Sequence, residues 1–323
     1  MNKTIPVIQH DLTVFSYERL VRDGQSHLDA GRLGDAEKYF AQAFKLADRL
    51  KAVAEQCLTL TQLGHIYIQR QDYIRGVGLY CAARVRAHQL KDDAALEALN
   101  QSICVAEAMF LGIKPEAVSD SSKYLSQLTA LRDRFRPLIR NAIDELLSAE
   151  LFEAALPGFV ERIQTLSSEI CRALEGLVGS ITEDSFSTLP KAPHPCKTAS
   201  ESMGSLARFG STLFSDVEWV FLFILLDIEG LSVSDINTRY TAVQRHLERV
   251  AIYSQIQVLK LGQTILPSLC VASLNNFEST EARDNWYFDE MVPRGFCGDA
   301  TLPGAGKVPW GTVTNVEHFE GRG

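Results

Sequence analysis

Met203-Gly204-Ser205-Leu206-Ala207-Arg208, followed closely by Ser215-Asp216-Val217-Glu218-Trp219, sets a glycine, a hydroxyl, an arginine and two carboxylates in an order that chemistry can use. Gly204-Ser205 lets a backbone approach a ligand closely, and the helix-prone Leu206-Ala207-Arg208 would offer unpaired N–H groups to a phosphate. Asp216 and Glu218 precede the apolar run Trp219-Val220-Phe221-Leu222-Phe223-Ile224-Leu225-Leu226, which reads as a buried strand. Side chains on a strand repeat every second residue, so the two carboxylates point the same way. Carboxylates so placed suit Mg²⁺, a hard ion held by carboxylates, water and substrate phosphates.

Outward from this stretch, the N-terminal part of the chain reads as helical. From Ser16 to Leu111 the sequence is rich in Ala and Leu and carries a pattern twice. Gly24, Gly31, Ala36, Phe40 and Ala43 hold small, turn, small, aromatic and small positions; Gly64, Tyr67, Gly76, Tyr80 and Ala83 repeat them, with Gln71 where a turn glycine is usual. The pattern resembles the tetratricopeptide unit. Its copies lie about forty residues apart against an ideal of 34, which implies a lengthened helix or loop near Lys51 to Gln56. A third helix pair is expected from Asp93. Pro115 ends the array. Two long helices follow, Ser122 to Leu151 with a kink at Pro137 and Pro157 to Ile181; Arg132, Arg134, Arg136 and Arg140 among them read as a solvated face because Asp133, Asp144 and Glu145 are interspersed. Thr182 to Thr198, with three prolines, reads as a connection, and Ser234 to Gly262 as a helix whose Arg239, Arg245, Arg249 and Lys260 face a nucleotide cleft.

The order glycine-serine, short helix, D-x-E resembles the nucleotidyltransferase superfamily that includes polymerase β. The wording GSLAR…SD-hydrophobic-E-aromatic is similar to nucleotidyltransferases related to the bacterial regulatory uridylyl- and adenylyltransferases, which are often fused to helical repeats. The likeness continues in Leu261 to Pro267, Asp284 to Asp289, Pro293 to Phe296 and the Pro303 to Gly311 stretch, and covers roughly the last third of the chain. Where relatives carry a glycine and an acidic residue after the arginine, this chain has Phe209 and Gly210, so any role for that acid is absent.

The resemblance implies a third carboxylate. Asp227 lies nine residues beyond Glu218, about 30 Å along an unbroken strand at ~3.3 Å per residue, and is excluded if the strand is continuous. Asp299, in the glycine-flanked Gly295 to Ala300, falls where relatives have an aspartate and is the choice; Asp284, Asp289 and Glu290 are the reserves. Gly304-Ala305-Gly306-Lys307 is no P-loop, because Thr301 and Val308 stand where a glycine and a hydroxyl are needed. Lys307 reads as a solvated loop lysine or as a contact to a triphosphate, and Arg208, inside the motif, is the better phosphate residue.

The 323 residues, 46% hydrophobic and 22% charged, suffice for two domains. A net charge of -8 with no basic run disfavours a nucleic-acid binder and template-directed synthesis. The seven cysteines are scattered without a C-x-x-C pair, which disfavours a disulfide framework or zinc site and fits a reducing cytoplasm. The seven histidines are dispersed with no pair at ligand spacing and read as ordinary surface or capped residues. No apolar run approaches the ~20 residues of a membrane helix, so no membrane is expected.

The expected architecture is therefore mainly α: tetratricopeptide-like repeats over 16–114, a helical connection over 115–181, and an α+β nucleotidyltransferase domain with a small mixed sheet over 190–315. The activity implied is metal-dependent transfer of a nucleoside monophosphate from an NTP to an acceptor, a protein recognised through the repeats or, if the repeats only pack as a scaffold, a small molecule. Asp216, Glu218 and Asp299 would hold Mg²⁺ or Mn²⁺, and Gly204, Ser205, Arg208 and Lys307 would contact the nucleotide. The alternative is a non-catalytic interaction protein in which the repeats bind a partner and the nucleotidyltransferase fold serves as sensor or scaffold.

Overall fold

The computed structural model describes residues 5–118, 122–202 and 219–261. They form eight α-helices and a two-stranded antiparallel sheet, divided between two compact units. No helix among the described residues is long and apolar enough to cross a membrane.

The first unit is a succession of helices joined by tight turns: α1 (Ile5–Asp29), α2 (Leu33–Arg49), α3 (Val53–Gln69), α4 (Tyr73–Leu90) and α5 (Asp93–Leu111). Each packs chiefly on its neighbours in sequence. The punctuation is regular. Gly31, Lys51, Gln71 and Lys91, twenty residues apart, all adopt left-handed backbone conformation, and Gly112 follows at nearly the same interval. At each of the first four, paired bonds close the helix end: Gly31 N donates to Leu28 O and Arg32 N to His27 O, and the same two bonds recur from Lys51 and Ala52, Gln71 and Asp72, Lys91 and Asp92. This is the Schellman arrangement, which satisfies carbonyls that the helix leaves bare. The next residue begins the following helix; Asp72 and Asp92 there accept from Arg75 N and Ala95 N. The forty-residue period is thus two helices of 17–18 residues with minimal turns. The excess over 34 lies in the helices, and no loop is lengthened near Lys51.

Small residues let the helices of a pair approach. Gly64 lies under Tyr80, Gly24 under Phe40, and Gly76 against Ile68. Ala36, Phe40, Ala43, Tyr80 and Ala83 are buried. The expected third pair is half present: α5 is followed by a 3-10 turn at Pro115–Ala117, and the next helix belongs to the second unit.

That unit opens with an antiparallel hairpin, α6 (Ser122–Ser148) and α7 (Phe152–Thr188). Both extend differently from expectation. α7 begins before Pro157 and runs past Ile181 to Thr188, where Ile181 and Ser185 are packed in the core and the hydroxyls of Ser185, Ser187 and Thr188 are satisfied by the carbonyls of Ile181, Glu183 and Asp184 one turn back. The connection is therefore only residues 189–195, leading to β1 (Cys196–Ser202). β2 (Trp219–Leu225) follows, and then α8 (Val233–Lys260), whose N-cap Ser232 accepts from Asp235 N and donates to the Asp235 carboxylate. Tyr124, Leu128 and Phe135 of α6, Ile170, Leu174 and Ile181 of α7, and Val258 of α8 share one core. From Tyr253 to Leu259 every residue of α8 is buried.

Candidate functional site

Sequence reasoning directs attention to the segment between β1 and β2. The two strands pair antiparallel over their whole length, from Cys196 opposite Leu225 to Ser202 opposite Trp219. β1 thus ends one residue before Met203, and β2 starts directly after Glu218, with the two ends partnered. Gly204, Ser205, Arg208, Asp216 and Glu218 lie outside the described residues. So do Asp299, Lys307, the reserves Asp284, Asp289 and Glu290, and the downstream segments that carry the resemblance. Among the described residues, no three His, Cys, Asp or Glu side chains are grouped to hold a metal ion.

What the structure adds is the support beneath the strands. Alternation gives β2 two faces. Phe221 and Phe223 are half-buried: Phe221 meets the ring of Phe186 on α7 edge-on at 6.0 Å, and Phe223 lies 4.8 Å from Tyr240 on α8. On the other face Leu222 and Ile224 are exposed by 45% and 59%. The expectation of a fully buried strand is corrected on this point, and the sheet among the described residues is antiparallel, not mixed. An apolar run does not require both faces to be covered: here Phe221 and Phe223 are covered while Leu222 and Ile224 of the other face stay open. Phe186, Tyr240 and the half-buried His246, whose ring is 6.5 Å from Phe186, were not singled out in the sequence as supports of the strands. The signal was the period-two placement of aromatics in β2.

Asp227 lies beyond the end of the unbroken strand, in left-handed conformation and exposed. Its carbonyl accepts from Arg239 Nη1 at 3.3 Å, so this cation of α8 is engaged by the turn after β2. Burial, with the Arg249 charge second, holds the His246 imidazole below its ordinary range. At the far end of the hairpin core, Asp184 accepts from Lys123 and from the Tyr124 hydroxyl. Those bonds hold its carboxyl below the usual carboxylate range and tie the start of α6 to the end of α7, which leads into β1.

In the first unit the histidine expectation needs one correction. His65 is half-buried, its Nδ1 2.7 Å from the Tyr80 hydroxyl, and burial pushes its pKa down. Tyr67 donates to Glu37 at 2.8 Å, and Arg70 pairs with the same carboxylate. These bonds cross between helices and fix the packing.

No family profile, curated protein or solved structure matches the chain.

Proposed function

We propose that the protein is a metal-dependent nucleotidyltransferase that moves a nucleoside monophosphate from an NTP to an acceptor protein recognised through the helical array. One observation carries the reading: the two halves of the motif adjoin the partnered ends of β1 and β2, Gly204-Ser205 two residues after Ser202 and Asp216-x-Glu218 directly before Trp219. In sequence, Gly204-Ser205 follow one strand and Asp216-x-Glu218 precede its partner, the order in which residues suited to phosphate and to a hard metal ion would be supplied to a common site. Asp216 and Glu218, with Asp299 as third carboxylate, would hold Mg²⁺ or Mn²⁺; the ions would orient the acceptor oxygen and stabilise the leaving pyrophosphate. Gly204, Ser205, Arg208 and Lys307 would bind the triphosphate. The stacked helices α1 to α5 suit an acceptor presented as a protein segment, since such arrays offer extended surfaces.

The test is incubation of the full chain with each labelled NTP, Mg²⁺ or Mn²⁺ and a cell lysate, with covalent label and pyrophosphate as readouts. Label and pyrophosphate should appear, and Asp216→Ala and Glu218→Ala should each reduce both to background while the melting temperature is unchanged. Turnover that persists in both variants refutes the metal assignment. Partner binding without turnover under any NTP would favour the interaction protein, for which the array itself is the supporting observation.

A further inference from the structure

The α6–α7 hairpin is covered by α8 over only part of its length. The shared core reaches from Tyr124 and Ile181 to Phe135 and Leu166; beyond it, toward the turn at residues 149–151, Ala142 is the buried apolar residue among those described. There the hairpin leaves Ile143 41%, Leu147 72%, Leu151 73%, Phe152 48%, Leu156 40% and Val160 43% exposed.

These side chains share one end of the hairpin. Arg134 pairs with Glu169, and Glu145 with Arg162, across one flank of the hairpin. At 3.6 residues per turn, Ile143 and Leu147 lie on the opposite flank of α6, while Leu156 and Val160 stand five turns before the core residues Leu174 and Val178 and continue their face of α7 into the uncovered end. With Leu151 and Phe152 at the turn they expose roughly 500 Å² of apolar side chain around one end of the hairpin, toward the upper end of what a monomer commonly shows in one patch. Doubled across a two-fold axis, that area reaches about the 1,000 Å² expected of a specific interface.

Charge gives the patch a direction. Arg136 and Arg140 continue the flank of Ile143 and Leu147, the former about 10 Å further from the turn. Arg132, one turn beyond Arg136, is held below the usual guanidinium range by burial and by the Arg136 charge, so cations crowd this end. At the other end stand the exposed Glu150 and Glu153. Neither Arg136, Arg140, Glu150 nor Glu153 has an ion-pair partner among the described residues. The order is thus cationic, apolar, anionic, a surface that complements itself when a second copy lies antiparallel.

We infer that the tip of the α6–α7 hairpin is a homodimer interface, in which two hairpins pack antiparallel as a four-helix arrangement and Glu150 and Glu153 of each copy face Arg136 and Arg140 of the second copy. The two-fold uses the same patch on both copies, as closed dimers require, and supplies the helix layer that the distal hairpin lacks.

Sedimentation equilibrium of the full chain at micromolar concentration should show a dimer. Leu147→Glu combined with Leu151→Glu should weaken association roughly tenfold or more with helical circular dichroism unchanged, since both positions are solvent-facing in the monomer. Glu150→Arg with Glu153→Arg should weaken it as well, and adding Arg136→Glu and Arg140→Glu to the same chain should restore it, a rescue that misfolding cannot mimic. A wild-type chain that stays monomeric, whether its tip is bare or covered by its own residues 262–323, overturns the inference. So does a dimer indifferent to both sets of changes.

Discussion

Glycine does opposite work in the two units. In the first, a methyl group on Gly64 would stand 2.5 Å from Cε1 and 2.6 Å from Cδ1 of Tyr80, and 3.3 Å from the Gly76 carbonyl; in the long helix α7, Gly158, Gly176 and Gly179 have nothing within 4 Å of the same position. The repeat glycines are a packing device, since they remove a side chain so that an aromatic ring from the paired helix can take its place. The α7 glycines relieve no contact among the described residues and weaken the helix by the ordinary backbone-entropy cost.

The sharpest way to break this contrast is Gly64→Ala. Tyr80 cannot swing aside, because it is 3% exposed and bonded to His65. The variant should lose about 2–4 kcal/mol in denaturant unfolding. The methyl group of Gly76→Ala would stand 2.4 Å from Cδ1, 2.6 Å from Cγ1 and 3.2 Å from the backbone N of the buried Ile68, and the change should cost a comparable amount. In the other unit the sign reverses: Gly176→Ala with Gly179→Ala should stabilise by about 1–2 kcal/mol together. A loss there would show that the open space in α7 is occupied.

The twin glycine-aromatic pattern is also the part of the fold that the sequence made legible, because a Gly64-Tyr80 spacing has little use outside a close helix pair. Helix ends were less legible. Three of the five left-handed C-caps are Lys51, Gln71 and Lys91, which carry no glycine signal. The end of α7 is hidden in the sequence because Ser185, Ser187 and Thr188 look like loop formers, and their back-bonds to the preceding turn emerge only once the helix has formed. For the candidate site, the chemistry was read from residue types at fixed spacing, whereas the supporting Phe186 and Tyr240 come from helices that flank the strands in sequence and could be matched to Phe221 and Phe223 only through packing.

Smaller effects follow from the caps. Gln71→Gly should gain about 0.5–1 kcal/mol, as the left-handed conformation at φ 62° is one a side chain adopts at a cost. If it gains nothing, the Gln71 side chain contributes a compensating contact. The smallest is the share of the pH dependence that His65 contributes. His65 is held neutral by burial, so its folded pKa lies below the ordinary 6.5. Its stabilising contribution is full above that value and declines as pH falls through it toward the folded pKa, because the unfolded chain then binds more protons. The fall in unfolding free energy just below pH ~6.5 should be shallower in His65→Gln than in the wild type.

The twenty-residue spacing of the turns bears on how the protein is made. Since the helices of the array pack on their neighbours in sequence, every new pair can close as soon as its second helix has been synthesised, with little loop entropy to overcome. α1 to α5 can therefore assemble stepwise from the N-terminus during translation. The second unit has to wait: its core includes both Tyr124 and Val258, residues far apart in the chain, so α6 and α7 stay incompletely covered until α8 has been made. In that interval the nascent chain is most exposed to proteolysis and to misassociation.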